Sequence, residues 1–135
     1  MTNDLLFVYG TLLLADNEFT NYLTSNSTIC CKGKIQGRLY DAGHYPGLII
    51  DKDNYDVWGT IYRLHNTPEV IKQLDFYEGY GEGEEQPNLY IREALSIETN
   101  EGKMTCWVYL YNRSIAGLKE IATGDYVEYL QQKLR

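Results

Sequence analysis

The strongest constraint on the fold of this chain is an unbroken apolar run near its N-terminus, Leu5 to Tyr9. Five apolar or aromatic residues in succession, with no alternating polar position, predict a β-strand that is buried on both faces. Other parts of the chain therefore have to cover both sides of this strand. The strand ends at Gly10, and a strand-to-loop transition of this kind is a place where a ligand can bind.

Gly10 opens a Gly-Thr loop directly after the apolar run. Because glycine has no Cβ atom, it adopts positive φ angles and lets main-chain N–H groups approach a bound anion or carbonyl. The loop is therefore a candidate ligand cradle. An ordinary tight turn is the alternative, because short glycine motifs often occur without a ligand.

The size and charge of the chain limit the classes of partner. Its 135 residues fit one domain, residues 1–135, with a core of its own. The 12 Lys and Arg against 19 Asp and Glu give a net charge of −7 without a basic cluster, which argues against nucleic acid and anionic membranes as partners. No apolar segment approaches the ~20 residues of a membrane helix, and no signal peptide is evident, so we expect a cytoplasmic protein.

The sequence predicts neither a metal site nor a cofactor. Cys30, Cys31 and Cys106 are an odd set that favours a reducing compartment over a disulfide framework. In a regular strand Cys30 and Cys31 point to opposite faces, so we expect separate core thiols. His44 and His65 stand alone, and the chain contains no zinc-site spacing, nucleophile elbow, P-loop or dinucleotide fingerprint.

The rest of the chain alternates strands with short helices. Its patterning predicts strands over residues 28–41, 48–50, 55–64, 89–99 and 103–112, and helices that begin near Asp16, at Thr67 and near Asp125. Gly33 and Gly37 predict a bulge or sharp coiling within the long strand. About six strands with two or three short helices favour an α+β fold, a small mixed β-barrel or strongly curved sheet with short flanking helices.

The clearest helix begins at Thr67, the expected N-cap before Pro68, and stops at Gly79. Glu78 therefore lies at the end of this helix among aromatic residues, where partial burial raises the pKa of a carboxyl group into the range of acid–base catalysis. The alternative is a solvated carboxylate, although the negative pole of the helix dipole disfavours an acid there. The Gly- and Glu-rich segment 79–88 is expected to be an exposed, mobile loop.

Six motifs spread over residues 5–112 carry a family resemblance when they are taken in order. They are Tyr9-Gly10-Thr11-Leu12, Gly37-Arg38-Leu39-Tyr40 with Tyr45-Pro46-Gly47-Leu48, Trp58-Gly59-Thr60-Ile61-Tyr62, Leu74-Asp75-Phe76-Tyr77-Glu78-Gly79, Tyr90-Ile91-Arg92 and Trp107-Val108-Tyr109-Leu110-Tyr111. In this order and spacing the chain resembles the gamma-glutamylcyclotransferase-like family. Gly117-Leu118 and Gly124-Asp125 further resemble small bacterial members.

The resemblance implies a compact barrel and a cofactor-independent enzyme of the acyltransferase type, which releases a γ-linked glutamyl group as 5-oxoproline. It implies that Glu78 is the catalytic carboxylate, acting as general acid and base on a small γ-glutamyl substrate. The residues implied to hold that substrate are Tyr9, Gly10, Thr11 and Leu12, through their main chain, with Tyr40, Tyr45 and Tyr111 as further lining candidates for which a structural role is the alternative.

Two other functions are compatible with the same motifs. The first is a non-catalytic module that binds a small carboxylate, and Glu78 argues against it, because a buried negative group beside the ligand's carboxylate costs desolvation without a gain. The second is a γ-glutamyl transferase with another acceptor, which forms a new amide instead of 5-oxoproline. The motifs do not specify the leaving amine or peptide.

Overall fold

The computed structural model describes residues 3–9, 18–43, 46–51, 55–84 and 86–133. Within these ranges, the strands are β1 (Leu5–Val8), β2 (Ser27–Asp41), β3 (Pro46–Ile50), β4 (Asp56–Leu64), β5 (Tyr90–Thr99), β6 (Gly102–Tyr111) and β7 (Lys119–Glu120). The helices are α1 (Glu18–Ser25), α2 (Thr67–Tyr77) and α3 (Tyr126–Lys133). None of the helices in the described ranges is long and apolar enough to cross a membrane.

Five of these strands close into a mixed barrel. Strand β1 pairs antiparallel with β4 and parallel with β6, β6 pairs with β5, and β2 pairs with β4. Lys34 of β2 and Glu98 of β5 are register partners where the barrel closes. Strands β3 and β7 extend the sheet from β2. The predicted α+β barrel with short flanking helices is therefore confirmed.

Strand β1 is buried on both faces, as the apolar run predicts. Phe7 is 1% exposed and belongs to the core that the barrel strands form. Leu6 and Val8 point the other way, into a second core shared with α1 and α2. Both helices therefore pack against the outer face of the strand whose C-terminal end leads to the candidate site.

The bulge in β2 lies elsewhere than predicted. The register of β2 against β4 shifts between Ile29 and Cys31, not at the glycines of this strand. Gly33 instead serves close packing, because a Cβ atom there would lie 2.6 Å from the Ile97 Cγ2 atom of β5. Gly33 therefore allows β5 to pack closely against β2. From the sequence alone, a glycine needed for close packing looks the same as a glycine at a bulge.

The start of α2 also differs from the prediction by one residue. The N-cap is Asn66, in the left-handed conformation and without a side-chain cap, and Thr67 is already helical. The Thr67 hydroxyl donates to Asp4 Oδ1 at 2.7 Å instead of capping its own helix. A tertiary hydrogen bond to the segment before β1 thus replaces the local cap.

At Gly124 the C-terminal segment packs closely against β4 of the barrel. Its φ is +67°, its carbonyl accepts the Trp58 N–H at 2.9 Å, and a Cβ atom there would overlap the Asp56 carbonyl. Gly117 is the matched control, with φ +81° and open space around it. We expect Gly117→Ala to lower the free energy of unfolding by about 1 kcal/mol, from backbone strain alone. Gly124→Ala should lower the free energy of unfolding by roughly a further 1–3 kcal/mol, measured by denaturant unfolding. If the two variants lose the same free energy of unfolding, the close approach at Gly124 is contradicted.

Candidate active site

Glu78 leaves helix α2 through a defined C-terminal motif. It is the C-cap residue, and Gly79 follows with φ +69°. The Gly79 N–H donates to the Phe76 carbonyl at 3.2 Å and the Tyr80 N–H to the Asp75 carbonyl at 2.9 Å, the two hydrogen bonds of a Schellman motif. The predicted stop at Gly79 is confirmed, because the left-handed position after the C-cap suits glycine. The motif fixes the backbone on both sides of Glu78.

Glu78 is half-buried, and its environment favours the protonated form. Burial is the main cause and the nearby charge of Asp75 the second, and together they raise the pKa of Glu78 to about 7. A carboxyl group with this pKa both accepts and returns a proton near neutral pH. The local environment of the helix end thus supplies the acid–base property that its aromatic neighbours predict.

Two buried tyrosines, Tyr9 and Tyr109, lie within the electrostatic influence of Glu78. Burial, then the charge of Glu78, raises the pKa of Tyr9 well above the ordinary value, although a hydrogen bond with the Leu48 backbone opposes this. The pKa of Tyr109 is also raised well above its ordinary value. Burial is the largest cause, followed by the interactions with Asp75 and then by the charge of Glu78. Both phenols therefore remain neutral O–H donors, and the Tyr9 hydroxyl donates to the Tyr109 carbonyl.

A clamp on Asp75 holds the end of α2 against the barrel. Arg92 Nε donates to Asp75 Oδ1 at 2.8 Å, and the second guanidinium contact reaches Oδ2 at 3.2 Å. The Tyr109 hydroxyl donates to the same Oδ1 at 2.8 Å. The Arg92 guanidinium also stacks 4.3 Å from the centre of the Trp107 ring. Asp75 therefore has its charge compensated by Arg92 and both carboxylate oxygens engaged.

The structure brings some of the predicted site residues together. Tyr9 and Glu78 belong to the same site. The Tyr111 ring packs directly over Gly47 and lies edge-on to Tyr90, and Tyr40 is the register partner of Gly47, so both candidates flank β3. Gly10, Thr11, Leu12 and Tyr45 lie outside the described residues, and their contacts with substrate stay predictions, as do those of Tyr9, Tyr40 and Tyr111.

The motifs did not assign a role to Asp75, Arg92 or Tyr109. Two signals were nevertheless present in the sequence. Asp75 precedes Glu78 by three residues, which is one helical turn. Arg92 and Tyr109 are directly opposed in the β5–β6 hairpin, a register that follows from the tight turn at Asn100 and Glu101. The contact between helix end and hairpin is the part that needed the tertiary structure.

The thiols and imidazole do not assemble into a metal-binding cluster in the described part of the chain. No group of three or more His, Cys, Asp or Glu side chains there could hold a metal ion. Cys30 is exposed, Cys31 is half-buried and Cys106 is buried. The His65 ring pairs with the Thr28 hydroxyl at 2.8 Å, and His44 lies outside the described residues.

The loop after Glu78 is exposed only in part. Glu82 and Gly83 are exposed, as predicted. Asn88 is 9% exposed, and its side-chain amide pairs with Gly81 in both directions, at 3.1 and 3.0 Å. The Asn112 side chain donates to the Asn88 carbonyl at 3.0 Å. These bonds tie the base of the loop to the residue that follows β6; the predicted mobility of the loop stays a prediction.

Residues 6–128 match the family model described as gamma-glutamyl cyclotransferase, AIG2-like. YtfP of Escherichia coli (strain K12), named a gamma-glutamylcyclotransferase family protein, is 32% identical over 124 residues, 91% of this chain and 96% of YtfP. The solution NMR structure of ytfP from Escherichia coli has a TM-score of 0.68 at 28% identity and covers 93% of this chain and 97% of its own. The crystal structure of YkqA from Bacillus subtilis has a TM-score of 0.71 at 25% identity and covers 99% of this chain but 44% of YkqA.

Glu78→Gln should stabilise the protein in a pH-dependent way. The pKa of Glu78 in the folded state, about 7, exceeds the ordinary value of 4.5, so the folded protein binds an extra proton between these pH values. Wild-type stability therefore falls as the pH rises through this window, whereas the neutral amide is unaffected. We therefore compare the free energy of unfolding of Glu78→Gln with that of wild type at two pH values, by denaturant unfolding. The difference should shift in favour of the variant by on the order of 2–3 kcal/mol between pH 4.5 and pH 8.

Glu84→Gln, which removes a carboxylate from the loop beyond the helix, is the matched control. The difference in free energy of unfolding between Glu84→Gln and wild type should not change with pH over the same range. If the difference for Glu78→Gln does not change with pH either, the burial of the Glu78 carboxylate is contradicted.

Proposed function

The chain belongs to the gamma-glutamyl cyclotransferase, AIG2-like family, as its six motifs predict, and on this premise we propose that it releases 5-oxoproline from a γ-glutamyl amine or peptide. The observation that supports this proposal most is Glu78, a half-buried carboxyl group at the end of α2 with a pKa of about 7, close enough to two buried tyrosines to raise their pKa values. This is the protonation behaviour that a general acid and base needs at neutral pH.

The proposed reaction is intramolecular. The α-amine of the glutamyl group attacks its own γ-carbonyl carbon, the new C–N bond closes a five-membered ring, and the bond to the leaving nitrogen breaks. The enzyme's main task is to hold the glutamyl chain in this folded pose. At neutral pH the α-amine is protonated, so Glu78 first accepts its proton and then returns a proton to the departing nitrogen.

The surroundings of Glu78 fit these steps. The ionised carboxylate attracts the substrate's α-ammonium group, which places base and proton together. Main-chain N–H groups at residues 10–12 are proposed to hold the substrate carboxylate or the developing oxyanion, as the glycine loop predicts. A module that only binds a small carboxylate has no use for a desolvated acid at this position, and this favours the enzyme over that alternative.

Purified protein incubated with a panel of γ-glutamyl amines, dipeptides and isopeptides should release 5-oxoproline. Glu78→Gln keeps the shape of the side chain but cannot accept the proton, so we expect turnover to fall about 10²-fold or more, with the fold intact by circular dichroism. Glu84→Gln should keep wild-type turnover. Formation of a new γ-glutamyl amide would identify a transferase instead, and tight binding without any product would identify a binding module.

The pH dependence of turnover gives a second test. Because Glu78 must be ionised to accept the α-ammonium proton, kcat/KM should fall as the pH drops below about 7. Initial rates between pH 5 and pH 9, roughly, measure this acidic limb. If the apparent pKa of the acidic limb is instead near 4.5, the ordinary pKa of a glutamate carboxyl group, Glu78 is not the proton acceptor in the environment described.

A further inference from the structure

Asp75 is a second carboxylate at the site, and both of its oxygens accept hydrogen bonds. It receives two hydrogen bonds from Arg92, at 2.8 and 3.2 Å, and a third from Tyr109 at 2.8 Å. The side chains of Asp75 and Arg92 are 19% and 17% exposed, so solvent screens this pair little compared with a surface ion pair. Charge-assisted bonds in a two-point geometry are strong and directional.

The clamp connects three elements at the point where Glu78 leaves α2. Arg92 of β5 and Tyr109 of β6 are opposed register partners, so both donors come from one rigid hairpin. The Asp75 carbonyl accepts the Tyr80 N–H of the Schellman motif. The main chain and the side chain of Asp75 therefore both define the last turn of the helix.

The two carboxylates at the helix end have different environments. Asp75 is paired with Arg92 and accepts a further hydrogen bond from Tyr109. The titratable and charged groups that act electrostatically around Glu78 are Asp75 of the same helix, Tyr9 after β1 and Tyr109 of β6, with Arg92 of β5 paired to Asp75. The two carboxylates therefore differ in their partners: Asp75 is paired with Arg92, whereas burial raises the pKa of Glu78.

We propose that Asp75, clamped by Arg92 and Tyr109, is the positioning residue for Glu78: it holds the end of α2 on the β5–β6 hairpin and so fixes the position of the C-cap residue Glu78. This inference rests on the proposed role of Glu78 as general acid and base. Asp75 also acts through its charge, because a fixed anion nearby makes ionisation of Glu78 less favourable.

Asp75→Asn tests both effects, since it keeps the shape of the side chain and removes its charge. The Glu78 pKa should fall below about 7, because the like charge is lost and Arg92 is left without its partner, whereas burial, the larger cause of the raised pKa, is unchanged. We expect kcat to fall roughly 10-fold or more with a smaller change in KM, because a misplaced base slows the chemical step more than binding. The Glu78 titration is read by NMR of 13C-labelled glutamate carboxyls, assigned by the signal missing in Glu78→Gln.

Asp51→Asn is the matched control. Asp51 pairs with Arg38 Nε at 2.5 Å, and both side chains are 26% exposed, where β2 and β3 pair. Loss of this similar ion pair should leave the Glu78 titration and the pH profile of kcat at wild-type values. If Asp75→Asn also leaves both unchanged, or only lowers the melting temperature, the positioning role is wrong.

A second variant covers the case in which Asp75→Asn fails to fold. Arg92→Lys keeps the positive charge but cannot form the two-point fork, so we expect a lower kcat at similar KM. Wild-type kcat in Arg92→Lys would overturn the inference. If wild-type protein releases no 5-oxoproline from any substrate in the panel, the proposed function fails, and the Glu78 titration in Asp75→Asn and Arg92→Lys still decides whether Asp75 controls the state of Glu78.

Discussion

The burial of β1 on both faces is the constraint on which the rest of the structure depends. Phe7 occupies the barrel core, and Leu6 and Val8 pack beneath the helices. Helix α2 therefore has to lie along the outside of β1. Because Tyr9 directly follows this strand and Glu78 caps the helix, the packing that covers β1 also brings the phenol and the carboxylate to one site.

The site shows a local conflict between stability and proposed function. An ionised Glu78 is unfavourable where it lies, because it is half-buried at the negative end of a helix and near Asp75. The clamp by Arg92 and Tyr109 compensates Asp75 but not Glu78. The end of α2 therefore has one acid with a compensated charge, Asp75, and one acid with a raised pKa, Glu78. A pKa near neutral is the property that the proposed proton transfer requires.

Much of the fold follows from local signals in the sequence. The apolar run predicts β1, the strand patterns over residues 89–99 and 103–112 predict β5 and β6, and Gly79 predicts the end of α2. The errors arose where a distant residue replaced a local partner. The Thr67 hydroxyl bonds to Asp4 instead of capping its helix, and Gly33 gives room to Ile97 instead of forming a bulge. Local propensity has no information about either contact.

For the candidate site, the sequence by itself determined that Glu78 lies at a helix end, because helix stop signals are local features, and its catalytic role stays a prediction. Only the tertiary structure decided what surrounds it. The Asp75 carboxylate meets Arg92 and Tyr109 because α2 packs on the hairpin, and the charge of Glu78 acts on Tyr9 because β1 packs against that helix. The pKa of a buried group depends on such neighbours, which are distant in the chain and close only in the folded protein.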